Sequence, residues 1–423
     1  MKIAIIGAGI IGVTTAYELA ADGHEVHVFE RRGSSCEEAS FANAGVIAPG
    51  YVTPWAAPGM PSKVLHYLFQ KHAPVRVRLP FKHGELAWIR QWLGACKPDR
   101  YQAHRQSLQQ LASYSAERLD TLTNSLQLEY DSAQGYMVLL RSELELAQIQ
   151  PSLAVLKDAG FAHKVLDGAA ARKIEPALRV DTALHAAVHL PNDKVANCRQ
   201  FALLLKDKAL LLGAQFHFGC SVSRAEQASQ GIRLTSQAGK GLGGGAGTGT
   251  TEQTDTFDHI VVCAGVDSSD LLKPLGIHIP LIPVYGYSIS AALREPMDAP
   301  VSGVMDERYK VAISRIGNRV RVAGSAQIGG HPTKISEAAI QTLYKVLSDW
   351  YPAAADTQNQ VQIWKGARPM LSNGPPRIGH MGASGHKNIW LNLGHGSSGW
   401  ALACGSARLL ADKIAGQQTA IDF

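Results

Sequence analysis

Three glycines near the start of the chain occur at a spacing that suits the binding of phosphate groups. Gly7, Gly9 and Gly12 form a Gly-x-Gly-x-x-Gly pattern between a β-branched run and a segment with helical periodicity. There the first glycine allows a tight turn, the second lets the backbone approach a pyrophosphate, and the third brings helix close to strand. Amides at the helix N-terminus favour the phosphate charge. The spacing therefore predicts an adenosine dinucleotide site.

An acidic residue, Glu30, follows at the end of the next predicted strand. A carboxylate in this place accepts hydrogen bonds from ribose hydroxyls and disfavours a 2′-phosphate. The ligand is therefore not NADP, and NAD and FAD remain. The alternative is a glycine-rich turn that holds no ligand.

Two later turns favour flavin over NAD. Val262-Cys263-Ala264-Gly265 ends an apolar run in small residues, as is needed where backbone passes close to a cofactor. The segment 394–399 (Gly-His-Gly-Ser-Ser-Gly) leads into a predicted helix and can present amides to the flavin carbonyl and N1, where negative charge develops on reduction. Each turn alone is equally compatible with ordinary loop structure.

The elements that position these turns follow from hydrophobic periodicity. Lys2–Ile6, Ile10–Ala21 and Glu25–Glu30 read as a β-α-β unit. Further helices are predicted within 62–124, with breaks at its prolines, and at 142–159, 199–213, 338–350 and 401–415. Further strands are predicted at 135–140, 181–191, 215–218, 259–264, 281–290, 309–315, 319–325 and 389–392.

Composition limits the class of protein. The 423 residues are 46% hydrophobic, which suits two or three globular domains, and a net charge of +6 is too small to indicate a nucleic-acid partner. The six cysteines form no C-x-x-C pair, so no metal site or disulfide scaffold is predicted, and a reducing, cytoplasmic compartment fits. No apolar run is long enough for a transmembrane helix, and the glycine pattern argues against a signal peptide at the N-terminus.

Further motifs, taken as a set, resemble those of the flavin-dependent D-amino-acid dehydrogenases of the small-subunit type, within the D-amino-acid oxidase and glycine oxidase superfamily. The resemblance runs from residue 1 to about residue 421 and is interrupted by a glycine-rich insert, Gly239–Gly249. The insert is predicted to be a flexible surface hairpin, and its role is open. The motifs that carry the resemblance are Ser40–Gly45, Pro49–Tyr51, Pro54–Gly59, Leu190–Asp193, Gly286–Ser288, Asp306–Ser314, Arg368–Met370 and Gly394–Gly396.

The resemblance implies an α/β fold with a Rossmann-like FAD-binding domain and an inserted α+β substrate domain built on a mostly antiparallel sheet. We predict approximate boundaries of 1–60, 181–280 and 365–423 for the FAD-binding domain and of 61–180 and 281–364 for the substrate domain. Together with the two glycine-rich turns, the resemblance implies an FAD site built from residues in or near the loops and turns of the FAD-binding domain. These residues are Ile6, Gly7, Gly9, Ile10, Ile11, Gly12, Glu30, Arg31, Ser40, Asn43, Ala44, Gly45, Val46, Ala264, Gly265, Gly394, His395, Gly396, Ser397, Ser398, Gly399 and Trp400.

The implied reaction is oxidation of a D-α-amino acid, such as D-alanine, by hydride transfer to FAD, followed by hydrolysis to a 2-oxo acid and ammonia. Arg368 is the candidate for holding the substrate carboxylate, because a planar guanidinium can bind it bidentately; the alternative is a surface salt bridge. Tyr285 and Tyr309 are candidate pocket hydroxyls or core aromatics. His395 is a candidate for polarising the flavin or a backbone partner.

Two departures from the family pattern leave the substrate open. Tyr285-Gly286-Tyr287-Ser288 replaces a frequent Lys-Gly-Tyr-Ser, and Leu371-Ser372-Asn373-Gly374 replaces Thr-Pro-Asp-Gly. An N-substituted or cyclic substrate such as a D-proline derivative therefore remains open. Two other functions also remain: an oxidase of glycine or sarcosine type that forms peroxide, and a flavoprotein subunit without a substrate of its own.

The basic residues are concentrated in one segment. Between Lys71 and Arg105 lie eight Lys or Arg and two acidic residues, which accounts for the whole net charge. Interleaved Phe81, Trp88, Trp92 and Tyr101 suit a helix that rests on an anionic membrane. We therefore expect peripheral contact with the inner face of the cytoplasmic membrane and a quinone or other respiratory-chain acceptor. The alternative places the aromatics in a helical core and the charges in solvent.

Overall fold

A computed structural model of the protein describes residues 1–67, 70–78, 83–238, 251–381 and 386–423. The predicted glycine-rich hairpin, Gly239–Gly249, lies outside the described residues, and so does Phe81. The α-helices are α1 (Ile10–Ala21), α2 (Met60–Tyr67), α3 (His83–Ala95), α4 (Pro98–Ser125), α5 (Glu143–Asp158), α6 (Gly168–Ile174), α7 (Cys198–Leu211), α8 (Ser268–Leu272), α9 (Glu337–Trp350) and α10 (Gly399–Ile414).

The strands form three sheets. They are β1 (Lys2–Ile6), β2 (Glu25–Glu30), β3 (Val46–Ile47), β4 (Val75–Val77), β5 (Ser132–Leu140), β6 (Lys164–Asp167), β7 (Ala186–Ala196), β8 (Gln215–Phe218), β9 (Cys220–Gln227), β10 (Ile232–Ala238), β11 (Thr251–Phe257), β12 (His259–Val262), β13 (Leu281–Leu293), β14 (Gly303–Asp306), β15 (Val311–Ile316), β16 (Arg319–Ile328), β17 (Ala355–Asp356), β18 (Gln362–Leu371), β19 (Arg377–Met381) and β20 (His386–Leu393).

The first sheet has the order β19-β20-β12-β1-β2-β8 and is parallel except for β19. Its central strands are apolar on both faces, as is typical of a parallel sheet covered on both sides. Apolar residues of α1, α7 and α10 cover one face. The antiparallel sheet β11-β10-β9 packs on the other face through Ile232, Leu234 and Phe257. The predicted Rossmann-like unit is therefore confirmed.

The larger sheet has the order β17-β13-β16-β15-β14-β5-β7-β3. Three further strands pair with it: β18 with β13, β4 with β16 and β6 with β7. Most of its pairs are antiparallel. Helix α9 covers part of one face through Leu343, Val346 and Trp350. This agrees with the predicted mostly antiparallel substrate sheet.

The observed elements differ from the predicted ones in several places. The strand predicted at 181–191 begins at Ala186 and continues past Pro191. Pro191 has no backbone N–H, but the β5–β7 ladder is irregular opposite it, between Gln134 and Tyr136, so no hydrogen-bond donor is needed at this position. The strands that were not predicted are β3, β4, β6, β9, β10, β11, β14, β17, β18 and β19. Strand β7 pairs within the larger sheet, although the predicted boundaries assign its residues to the FAD-binding domain. The predicted domain boundaries stay a prediction.

Candidate functional site

A cavity of about 1820 Å³ runs from the glycine turn after β1 to the face of the larger sheet. This exceeds the volume of about 300–1,000 Å³ that is usual for small-molecule sites, so it has room for a dinucleotide and a second, smaller ligand. All residues predicted to bind FAD except Gly12 line it, as do Arg368, Tyr285 and His395. Tyr309 is absent from its lining.

The glycine turn is built by close backbone contacts. Gly7 has a φ of +103°, and a Cβ there would lie 2.6 Å from the carbonyl oxygen of Cys263. A Cβ on Gly12 would lie 1.8 Å from the carbonyl oxygen of Gly7. Gly12 therefore lets α1 approach β1, which explains why it faces the strand and not the cavity. Gly9 lies between them and borders the cavity directly.

The Glu30 carboxylate is fixed at the end of β2. Its Oε2 accepts from the amide of Ala8 and its Oε1 from the amide of Arg32, both at 2.8 Å. The predicted ribose partner thus has a defined orientation beside the glycine turn. The neighbouring Arg31 is turned to Glu38 at 2.7 Å and Asp267 at 2.8 Å, so its charge is already paired.

The segment from Ser40 to Ile47 connects the glycine turn to the larger sheet. The Ser40 hydroxyl accepts from the amide of Ile10 at 3.1 Å, in the first turn of α1. Asn43 Oδ1 accepts from the amide of Gly45 at 2.9 Å, and Gly45 has a φ of +76°. Strand β3 then pairs with β7. The predicted residues 43–46 therefore lie where the cavity passes from the nucleotide half to the substrate sheet.

The second predicted turn lies between β20 and α10. Gly394 and Gly396 have φ values of +83° and +56°, and a Cβ on Gly394 would lie 2.4 Å from Leu371 Cδ1. Helix α10 begins at Gly399. Two buried polar atoms beside this turn, Trp400 Nε1 and Asn392 Oδ1, have no hydrogen-bond partner. Both residues line the cavity, so they fit a ligand that offers an acceptor and a donor, as a flavin ring does.

His395 is neutral in this structure. Its ring is 4% exposed, and burial lowers its pKa to about 3. Nε2 lies 3.1 Å from the Ser406 hydroxyl, which itself donates to the carbonyl oxygen of Ala403. The ring therefore donates through Nε2 to Ser406. It can offer a dipole to a ligand but no positive charge at neutral pH.

Arg368 on β18 is a cation without a carboxylate partner among the described residues. Its Nη1 donates to the carbonyl oxygen of Ser325 at 2.9 Å. Burial lowers its pKa to about 10, which leaves the guanidinium charged at neutral pH. Because a buried charge is costly unless it is paired, this arrangement is complementary to an anionic ligand in the cavity.

The two candidate tyrosines lie in different places. Tyr285 lines the cavity, with Lys365 Nζ 4.0 Å from its ring centroid. Tyr309 does not line the cavity, and its ring lies between Arg141 and Lys345, with centroid distances of 5.2 and 5.5 Å. A role for its hydroxyl in the pocket stays a prediction. In the turn after β14, the Tyr309 amide donates to Asp306 Oδ1 at 3.1 Å.

The structure adds a polar cluster that sequence reasoning missed. The Tyr51 hydroxyl donates to Glu307 Oε2 at 2.6 Å, and Lys310 Nζ bonds both Glu307 and the Tyr51 oxygen. All three line the cavity. Burial and then the Glu307 charge raise the pKa of Tyr51 well above its usual value. Only their motifs were noted, and no local pattern joins residues so far apart in sequence.

Comparisons with known proteins agree with this geometry. A sequence model described as FAD dependent oxidoreductase matches residues 2–413. D-amino acid dehydrogenase from Allorhizobium ampelinum is 40% identical over 100% of this chain and 96% of its own, and that from Rhizorhabdus wittichii is 39% identical over 100% and 98%. Among solved structures, glycine oxidase from Geobacillus kaustophilus has a TM-score of 0.74 at 20% identity, covering 100% of this chain and 96% of that one.

Proposed function

Because the chain belongs to the family of FAD dependent oxidoreductases, we propose that it oxidises D-amino acids to 2-oxo acids and ammonia. One observation carries the proposal: the unpaired guanidinium of Arg368 lines the same cavity as the glycine turn and Glu30. The relatives at about 40% identity, which are named D-amino acid dehydrogenases, support the substrate class.

In this proposal the two ends of the cavity have different tasks. Glu30, Ser40 and the amides of the first turn hold the adenosine and pyrophosphate half of FAD. Trp400, Asn392 and the second turn hold the flavin half. Bound FAD would supply the two-electron acceptor for the hydride of the substrate α-carbon.

Arg368 binds the substrate carboxylate and thereby fixes the orientation of the α-carbon. Hydride transfer needs little acid–base chemistry and strict alignment, so positioning is the main contribution of the protein. The neutral His395 adds no charge that would compete for the carboxylate. Tyr285 and the Tyr51–Glu307–Lys310 cluster border the space left for the substrate side chain.

For the electron acceptor we propose a quinone or another respiratory-chain acceptor, reached by peripheral contact with the cytoplasmic membrane. The described part of the chain contains no helix that is long and apolar enough to cross a membrane. Helices α2 and α3 expose Leu65 (64%), Leu86 (54%) and Leu93 (49%), and Arg90 of α3 is also exposed. These residues suit contact with an anionic membrane. Trp88 and Trp92, which were expected to share in it, are buried and do not.

The alternative is an oxidase of glycine, sarcosine or D-proline type that passes electrons to oxygen. The likeness to glycine oxidase at 20% identity supports the shared fold only. The sequence relatives therefore favour the dehydrogenase.

The test is turnover of purified holoenzyme with a panel of D- and L-amino acids and an artificial dye acceptor. We expect turnover with D-amino acids and less than stoichiometric peroxide in air. Stoichiometric peroxide would establish the oxidase. If neither D-alanine nor any other member of the panel bleaches the bound flavin under anaerobic conditions, the protein has no amino-acid substrate of its own.

Membrane contact is tested by sedimentation with vesicles of anionic or zwitterionic phospholipid. We expect binding to anionic vesicles only and weaker binding by the Leu86→Ser/Leu93→Ser double variant. Equal sedimentation with both vesicle types, or with neither, would contradict the proposed contact.

A further inference from the structure

The guanidinium of Arg368 lies directly over the backbone of Gly286 on the neighbouring strand. A Cβ built on Gly286 would be 2.4 Å from Nη2, 2.5 Å from Cζ and 2.9 Å from Nη1 of Arg368. These are its three nearest heavy atoms, and all belong to this one side chain. In the β13–β18 ladder, Arg368 pairs with Val284, so its side chain runs along β13 by two residues to reach Gly286.

The same place carries an irregularity in the next strand. Between β13 and β16, Tyr285 pairs with Gln327 and Tyr287 with Gly324, so Gly286 alone faces the two residues Ser325 and Ala326. This is a β-bulge, a feature that re-aims groups beside functional sites.

The bulge residue Ser325 has a φ of +56°, which is unfavourable for a residue with a side chain. Its carbonyl oxygen is the one that accepts from Arg368 Nη1. Its own hydroxyl is buried, lines the cavity and has no partner. The strained backbone at Ser325 thus directs an acceptor to the guanidinium.

We propose that Gly286 and the bulge at Ser325 are positioning elements for Arg368: the missing side chain at Gly286 leaves room for the guanidinium, and the Ser325 carbonyl fixes one of its nitrogens. The remaining guanidinium N–H groups are then presented to the substrate carboxylate. This inference rests on the proposed function, in which Arg368 binds that carboxylate. It assigns a role to Gly286, which the sequence analysis named only as part of a family motif and of a departure that leaves the substrate open.

The structure also explains why arginine alone would be insufficient. A long side chain in a wide cavity has many rotamers, and ordering it costs conformational entropy. With Gly286 below it and the Ser325 carbonyl at its edge, the guanidinium is held before the substrate arrives. An added methyl group at Gly286 would overlap the guanidinium of Arg368, whose atoms are the nearest to the ideal Cβ position. It must therefore displace the flexible end of the Arg368 side chain.

The test compares Gly286→Ala with Gly94→Ala, where an added Cβ would meet only Arg100 Nη1, at 3.9 Å. The first readout is the binding of propionate, which has the carboxylate of D-alanine without the amino group, measured by perturbation of the flavin spectrum in the holoenzyme. We expect Gly286→Ala to weaken propionate binding and to raise KM for D-alanine by about 10- to 100-fold, the loss that accompanies a charge-assisted hydrogen bond. Its kcat should change far less, and Gly94→Ala should match the parent protein.

The double variant Gly286→Ala/Arg368→Ala decides whether Gly286 acts through Arg368. We expect it to bind propionate no more weakly than Arg368→Ala alone, and to regain any thermal stability that the single Gly286→Ala variant loses. Additive losses, or stability that is not regained, would overturn the positioning role. Should Gly286→Ala fail to fold, recovery of folding in the double variant carries the test.

Failure of the proposed substrate class gives a different result. A parent protein that binds propionate but leaves every D-amino acid unoxidised would overturn the proposed function, and the propionate titration would still decide the role of Gly286. A parent protein that does not bind propionate would overturn both.

Discussion

The indole Nε1 of Trp88 donates a hydrogen bond of 2.9 Å to the carbonyl oxygen of Met370. Trp88 is 1% exposed and lies on α3, whereas Met370 lies on β18, two residues after Arg368. This bond ties α3 to the strand that carries the proposed carboxylate ligand.

We expect Trp88→Phe to lower the free energy of unfolding by about 1–3 kcal/mol, because it removes the donor of a buried carbonyl group. Trp92→Phe is the matched control. Trp92 stacks on Trp88 with a centroid distance of 6.2 Å, and its own Nε1 has no hydrogen-bond partner. Denaturant unfolding of both variants measures the two free energies of unfolding. An equal loss of free energy in Trp92→Phe would show that the reduced side-chain volume, and not the lost hydrogen bond, destabilises the protein.

The position of Trp88 shows where sequence reasoning reached its limit. The glycine turn and Glu30 were predictable because their spacing along the chain fixes their chemistry. The alternation of Trp88, Trp92 and basic residues fits both a membrane surface and a core, and tertiary packing decided for the core. The Gly286–Arg368 contact, like the Tyr51–Glu307 bond, depends on strand register, which no local pattern specifies.

The Glu30 carboxylate gives a prediction about cofactor affinity. We expect Glu30→Gln to weaken FAD binding by about 10- to 100-fold. The two carboxylate oxygens of Glu30 accept from the backbone amides of Ala8 and Arg32 and, in the proposal, from the ribose. A glutamine side chain has only one acceptor oxygen and no charge, so it cannot replace all of these bonds. Glu25→Gln, at the exposed start of the same strand, is the control. Fluorescence titration of apoprotein with FAD measures both, and unaltered affinity in Glu30→Gln would remove the ribose assignment.

Arg368 gives a prediction about the substrate. We expect Arg368→Ala to raise KM for D-amino acids about 100-fold or more, because a charge-assisted hydrogen bond to the substrate carboxylate is lost. The substitution leaves no protein carboxylate among the described residues without its partner, so the fold should be little affected. The exposed Arg377 on β19 provides the control variant Arg377→Ala. Steady-state kinetics with a dye acceptor test this, and an unchanged KM would move the carboxylate site elsewhere.

His395 gives a prediction about pH dependence. Burial lowers its pKa to about 3, so the ring stays neutral throughout the working range of the enzyme. We expect His395→Gln to leave the shape of the kcat/KM profile between pH 5 and 8 unaltered, because no protonation of this residue contributes to it. A profile in which the parent has an acid limb near pH 6 and the variant lacks it would show that His395 titrates in the holoenzyme.

Asp193 gives a prediction about stability, since its carboxyl group is 6% exposed and its Oδ2 has no hydrogen-bond partner. Burial raises its pKa to about 7. The folded protein therefore holds a proton that the unfolded chain releases near pH 4, so stability should fall as pH rises from about 4 to about 7, by up to about 4 kcal/mol. Asp193→Asn removes this titration, and its stability relative to the parent should increase over the same interval and then level off. Denaturant melts at several pH values measure the difference, with the exposed Asp181→Asn as control; a difference that does not vary with pH would mean that Asp193 is ionised in the folded protein.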